Sequence, residues 1–372
     1  MGWGTFSFFL VLMAWLAYYS FWVLTEASHE SGQTSYKGLA SAMGGKLFPI
    51  LVESTVLLYV CGTLTSYAVI IGDYIPPVMR AWFPGTPFQE RWSCVLVLAC
   101  CVYFPLTILR SLNSMKYVSS VALGFIGYTV LLVILRALRP SPAVAALPGA
   151  SDPLVFWSSS LSDVFSATPL ILVAFTAHYN VLRLYYELEC RTVNVMRNVA
   201  GLSVSIVFAV YILVAFAGYS LFRGATRSNI LSSFPAPDLF VDLAKVGMAA
   251  MVVLSYPLVH FAARGAVQNL LFPGWSFSWF RHVAIAVILV ALPTTLGILV
   301  PDVSLVLNFS GAFAGSLMVY IYPGIFGLHY LKANSTHRLL SRVLIVFGVI
   351  SMVLGVRFDT GWGPCLIKEN GG

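Results

Sequence analysis

The sequence predicts an all-α polytopic membrane protein with about ten transmembrane helices, and three observations carry that prediction. Apolar residues make up 59% of the 372 and charged residues only 9%, against about a quarter charged in a soluble domain. The mean hydropathy is +0.87. Runs of about 20 apolar residues, long enough to cross a bilayer core, occur at roughly 3–25, 47–76, 92–110, 115–137, 163–186, 196–222, 239–272, 280–300, 304–330 and 338–356. Little is left over for a soluble domain.

The first run has no basic segment ahead of it and is longer than the apolar core of a cleavable signal, so it reads as a retained helix. The formal net charge is +7, yet the 21 Lys and Arg are scattered singly at helix ends, which speaks against a nucleic-acid surface and for a role in orientation. Loops after spans one, three, five, seven and nine carry twelve basic residues against the four acids Glu26, Glu30, Glu187 and Glu189. The other loops and the termini carry nine basic residues against nine acids. The basic excess marks the first set as cytosolic and puts both termini outside the cytosol.

The six cysteines, Cys61, Cys94, Cys100, Cys101, Cys190 and Cys365, form no CxxC pair and lie mostly in apolar runs. They read as small packing residues rather than a disulfide framework or metal site. On this orientation neither sequon, at Asn308 or Asn334, is expected to be glycosylated.

Span one, Trp3–Thr25, is rich in aromatic residues that suit lipid contact and interfacial anchoring. In span two, Tyr59, Gly62, Thr63, Ser66 and Tyr67 recur at helical spacing and share a face. Helix packing outweighs direct substrate contact as the reading of Thr63 and Ser66, and Glu53 is expected to snorkel to the interface. Pro105 and the Gly124-Phe125-Ile126-Gly127 pair predict kinked or closely packed helices in spans three and four. Residues 136–162, with four prolines, form a loop outside the cytosol that separates two halves. Span seven contains Ser255, Tyr256 and Pro257, and is long enough to tilt or break there. Asp302 lies in a short solvated loop, and the tail from Arg357 is polar, Gly rich and unstructured.

The fifth run stands apart. Apolar arms Pro169–Phe175 and Val181–Tyr186 flank Thr176, Ala177, His178, Tyr179 and Asn180 at bilayer depth. Backbone left unpaired in hydrocarbon costs several kcal/mol per group, so a broken helix is tolerated there only where it lines a cavity or packs inside protein, and a midplane break is where transporters bind substrate. The alternative is one continuous helix whose His178 and Asn180 face neighbouring helices.

The run Ala174-Phe175-Thr176-Ala177-His178-Tyr179-Asn180-Val181-Leu182, with Tyr185, Glu187 and Leu188, resembles the broken sixth helix of the amino acid/auxin permease (AAAP) family, and most of all its sodium-coupled neutral amino acid transporters. Arg191, Met196, Asn198-Val199, Gly218-Tyr219 and Phe222 are similar to its seventh helix. Val259, Phe261 and Arg264 are similar to the end of its eighth, and Ser28, Glu30, Ser31-Gly32, Tyr36 and Leu39-Ala40 to the segment after its second. The resemblance implies a LeuT-like inverted-repeat fold of eleven helices whose discontinuous first and sixth hold the substrate. Only four spans precede the broken one here, so the family's first helix, with its Gly-rich carboxylate-binding segment, is expected to be missing. The implied division is 1–140 as the remainder of the first repeat, 141–162 as a loop, 163–333 as the second repeat, and 334–372 as the last helix and tail.

The resemblance further implies a secondary permease for neutral amino acids working by alternating access and symport, in the plasma membrane or a vacuolar or lysosomal membrane. Phe175, Thr176, Ala177, His178, Tyr179 and Asn180 would contact substrate, with Thr63 and Ser66 as second-rank contacts. Ser255 would be a sodium ligand, although hydroxyls around it are sparse; proton coupling through His178 is the alternative. A truncated, non-transporting relative that senses amino acids or binds partners is the competing reading. An enzyme is not expected, since His178 has no acidic neighbour before Glu187. The oligomeric state is not encoded in any of these features.

Overall fold

A computed structural model describes residues 2–108, 116–157, 160–300, 302–331 and 335–359. All regular structure among them is helical, with no strand. Among the described residues ten helical stretches are long and apolar enough to cross a membrane, and they coincide with the ten apolar runs. The chain divides into two compact units, neither continuous in sequence.

The first unit gathers the described residues of 1–59, 155–209 and 307–372. Helix α1, Trp3–Ser31, ends at Gly32 with φ +68°, a left-handed turn that suits glycine. Helix α2, Tyr36–Ala42, starts under the Ser35 hydroxyl, which accepts the Gly38 N–H at 3.0 Å. Helix α3, Leu47–Trp82, contributes its first turns. Helices α8, Leu161–Ala174, and α9, His178–Glu187, form the fifth span. The ninth span opens with α13, Val303–Ser310, continues through wide π turns at Gly311–Gly315 and Leu317–Ile321, and closes with α14, Tyr322–Tyr330. Helix α15, Ser335–Asp359, packs against α14 and α8, and α1 packs against α14, α8 and α9. Tyr36 donates to the Met318 carbonyl and Tyr322 meets the Thr55 hydroxyl at 2.7 Å, so hydroxyls close the buried seams. Burial pushes the Tyr36 phenol well above its usual pKa, and nearby Tyr322 adds to the shift.

The second unit gathers the described residues of 60–154 and 210–306. Here α4, Arg91–Leu98, a π turn at Ala99–Tyr103, and α5, Phe104–Ile108, make an uneven third span that continues through Pro105. Helix α6, Lys116–Leu138, packs along α11, Leu239–Leu271, which packs on α12, Trp279–Leu299. Helix α10, Val193–Phe222, passes from one unit to the other. Asp302 is exposed and accepts both the N–H (2.9 Å) and the hydroxyl (2.8 Å) of Ser304, capping α13.

Two expectations are corrected and a third is refined. Glu53 is 7% exposed and keeps a polar or electrostatic partner, so it is held inside its unit rather than snorkelling. Gly124 and Gly127 face open space. The close approach of α6 is made instead at Gly247 of α11, where an added Cβ would sit 2.7 Å from the Phe125 ring. The Pro-rich loop is partly ordered: α7, Pro142–Ala145, sinks Val144 into a core with Leu132, Phe222 and Leu231. The tail beyond Asp359, Cys365 and Asn334 lie outside the described residues.

Candidate functional site

The fifth span is broken. Helix α8 ends at Ala174, Phe175–Ala177 leave the helix, and α9 starts at His178. The last turn of α8 tightens first, with Phe175 N–H donating to the Leu172 carbonyl at 3.1 Å and Thr176 N–H to Val173 at 3.0 Å. The Thr176 hydroxyl donates to the same Leu172 carbonyl at 2.9 Å, satisfying an end that a continuous helix would have used. Ala177, at φ −128° and ψ 13°, is the N-cap of α9 and offers no side-chain acceptor. The N–H groups of His178 and Tyr179 therefore form a helix start without a side-chain cap, with the positive end of the α9 dipole behind them. The interruption is shorter than the expected Thr176–Asn180, because His178–Asn180 already belong to α9.

Helix α9 is amphipathic. His178, Val181, Leu182 and Tyr185, spaced i, i+3, i+4 and i+7, are buried, whereas Asn180, Arg183, Leu184 and Glu187 are exposed. His178 is 0% exposed and stacks on Phe21 of α1, with ring centres 4.1 Å apart and planes 24° apart. Neither ring nitrogen has a hydrogen-bond partner among the described residues. Tyr185 meets His29 of α1 at 3.1 Å, pinning the other end of α9. Tyr179 lies 6.1 Å, ring to ring, from Tyr59.

What holds α8 is a pair of glycines one turn apart in the ninth span. A Cβ at Gly311 would sit 2.5 Å from Val173 Cγ2 and 2.7 Å from the Pro169 carbonyl, and one at Gly315 would sit 2.6 Å from Leu172 Cδ2. Only residues without side chains allow this approach, which brings the π turns directly against the arm that ends at the break.

Phe175 through Asn180 thus lie together in the first unit. Thr63, Ser66 and Ser255 belong to the second. There Ser66 is buried and donates back to the Gly62 carbonyl at 3.0 Å, as a packing residue does. Thr63 is half-buried. Ser255 lies 3.8 Å from Met251 Sδ in an α11 that runs unbroken through Pro257.

Sequence reading missed several ionisable groups inside the spans. In the second unit Arg91 pairs with Asp73 at 2.7 Å and also donates to the Gly297 carbonyl. Asp242 and Lys245, both nearly enclosed, pair at 3.3 Å, and Trp82 donates to the same Asp242 carboxylate. Their spacing, Asp242 three residues before Lys245 on one helix face, was the available signal.

A polytopic helical chain with a discontinuous membrane span is built as a membrane transporter is built. Residues 1–358 match the family described as transmembrane amino acid transporter protein, and the chain belongs to that family. It is therefore a multi-pass membrane transporter. A crystal structure of a manganese transporter mutant from Eremococcus coleocola is similar, at 11% identity and TM-score 0.49, over 95% of this chain and 88% of that one.

Proposed function

We propose that this transporter carries neutral amino acids by alternating access and that the gap between α8 and α9 receives the substrate backbone. One observation carries the reading: a three-residue break, Phe175–Ala177, inside a membrane-length span, followed by a helix start whose cap residue has no side-chain acceptor. An amino acid brings a carboxylate, and uncapped N–H groups at the positive end of a helix are an anion site. The carboxylate is received by the N–H groups of His178 and Tyr179 in the state of the cycle in which the contact of His178 with α1 opens. Asn180, on the exposed face of α9, supplies a side-chain contact. His178, shut against Phe21, sets the angle at which α9 leaves the break and acts as a positioning residue.

Ala177→Asp tests the site directly. A carboxylate at the cap would occupy the same N–H groups, raising stability by about 1 kcal/mol while removing uptake, whereas Ala177→Gly should keep it. Labelled neutral amino acids in proteoliposomes, with a sodium gradient, a pH gradient or neither, read out both transport and coupling. No substrate-dependent flux in any arm would end the proposal.

A further inference from the structure

We propose that the second unit holds the phosphate-bearing headgroup of an anionic phospholipid in the cavity between the end of α11 and the start of α12. The cavity has a volume of about 330 Å³ and is lined by Arg264, Gln268, Trp275, Ser278, Arg281 and His282 among others. Residues 258–300 contain no Asp or Glu, and among the described residues neither arginine forms an ion pair.

Arg264 is 9% exposed, donates to the Thr107 carbonyl at 2.7 Å and lies 3.2 Å from His282 Nε2. Arg281 donates to Gln268 Oε1 at 3.2 Å and to the Ser276 carbonyl, and lies over the rings of Phe272 and Trp275. Two guanidinium groups are thus fixed by neutral acceptors and aromatic faces, with donor capacity to spare. Sequestering such charge is unfavourable until an anion arrives, and guanidinium forks match phosphate oxygens.

The setting selects a lipid over a soluble anion. Leu271 and Trp275, with Trp279 and Phe280 at the head of α12, are exposed, Phe280 at 85%. Aromatic and aliphatic side chains of this kind sit at headgroup depth. The loop belongs to the basic set that marks the cytosolic side, the leaflet rich in anionic lipid. Acyl chains would lie along this apolar rim while the phosphate enters between the arginines.

The test uses the full chain in nanodiscs of phosphatidylcholine alone, phosphatidylcholine doped with phosphatidylinositol phosphate, or phosphatidylcholine with added inorganic phosphate. Thermal midpoints and lipid retained in native mass spectrometry are read for the unaltered chain, Arg281→Gln and Gly265→Leu. Gly265 lines the cavity with open space at its α-carbon, so leucine fills the cavity and leaves both arginines in place. The doped bilayer should raise the midpoint and leave bound phosphoinositide, and each variant should weaken retention about five- to tenfold. Equal retention in both variants overturns the site. An equal gain from inorganic phosphate alone overturns the lipid assignment.

Discussion

Among the membrane-length helical stretches that contain a proline, α11 and the α8/α9 span behave differently, and of these two only the second breaks. Helix α11 runs unbroken from Leu239 to Leu271 through Pro257. The α8/α9 span breaks at Phe175, six residues beyond Pro169. Proline removes one N–H and crowds the carbonyl four residues earlier, so its effect lies upstream of itself. Neither the continuity of α11 nor the position of the break follows from the proline. At the break the Thr176 hydroxyl satisfies the Leu172 carbonyl, glycines let α8 seat against the π turns, and the His178 and Tyr185 contacts fix α9 to α1. A helix is interrupted where its neighbours can satisfy and hold the two ends.

The comparison can be broken most severely at His178. His178→Ala removes a fully enclosed ring and should cost about 3 kcal/mol through the cavity left against Phe21, measured as a lower thermal midpoint in detergent. Since neither nitrogen is hydrogen-bonded among the described residues, His178→Phe should recover most of that loss. A stable His178→Phe with no uptake would give the imidazole a direct role instead of a positioning one. Gly311→Ala comes next, at about 2 kcal/mol from overpacking against Val173 and Pro169. Gly124→Ala, which meets open space, is the control and should leave stability within about 1 kcal/mol.

Thr176→Val should cost about 1 kcal/mol through its lost hydrogen bond. Amide exchange at Phe175–His178 would then quicken, while α11 is unchanged. If the valine instead let the helix run through, protection would rise there, and the account of the break would be wrong.

The smallest effect lies outside the spans. Burial alone would raise the Asp302 pKa, but the N–H and hydroxyl of Ser304 and the Ser228 hydroxyl outweigh it and hold the carboxyl below its usual value. A depressed folded-state pKa means stability that is present above about pH 4, the unfolded value, and lost as the pH falls through the folded one. Asp302→Asn should flatten that acid limb in thermal scans between pH 6 and 3.

The ten spans were legible because lipid demands long apolar runs, and the break was legible only as one of two readings, because five polar or small residues at bilayer depth also fit a continuous helix packed against neighbours. The orientation of His178 was also available in the letters: it shares the i, i+3, i+4, i+7 stripe of Val181, Leu182 and Tyr185. The fit of Gly311 and Gly315 against α8 was not available, because glycines facing a helix read the same as glycines facing lipid until the partner is known. Gly124 and Gly127 show the converse, a small-residue pair with nothing against it. The Asp242–Lys245 pair was hidden because a charged residue near a span boundary passes for a loop residue.

The enclosure of His178 also makes it a natural reporter. A water-borne reagent that modifies imidazoles can reach it only when α1 and α9 separate, so the pace of its labelling would clock that parting, and any solute that holds the two helices together would slow the clock.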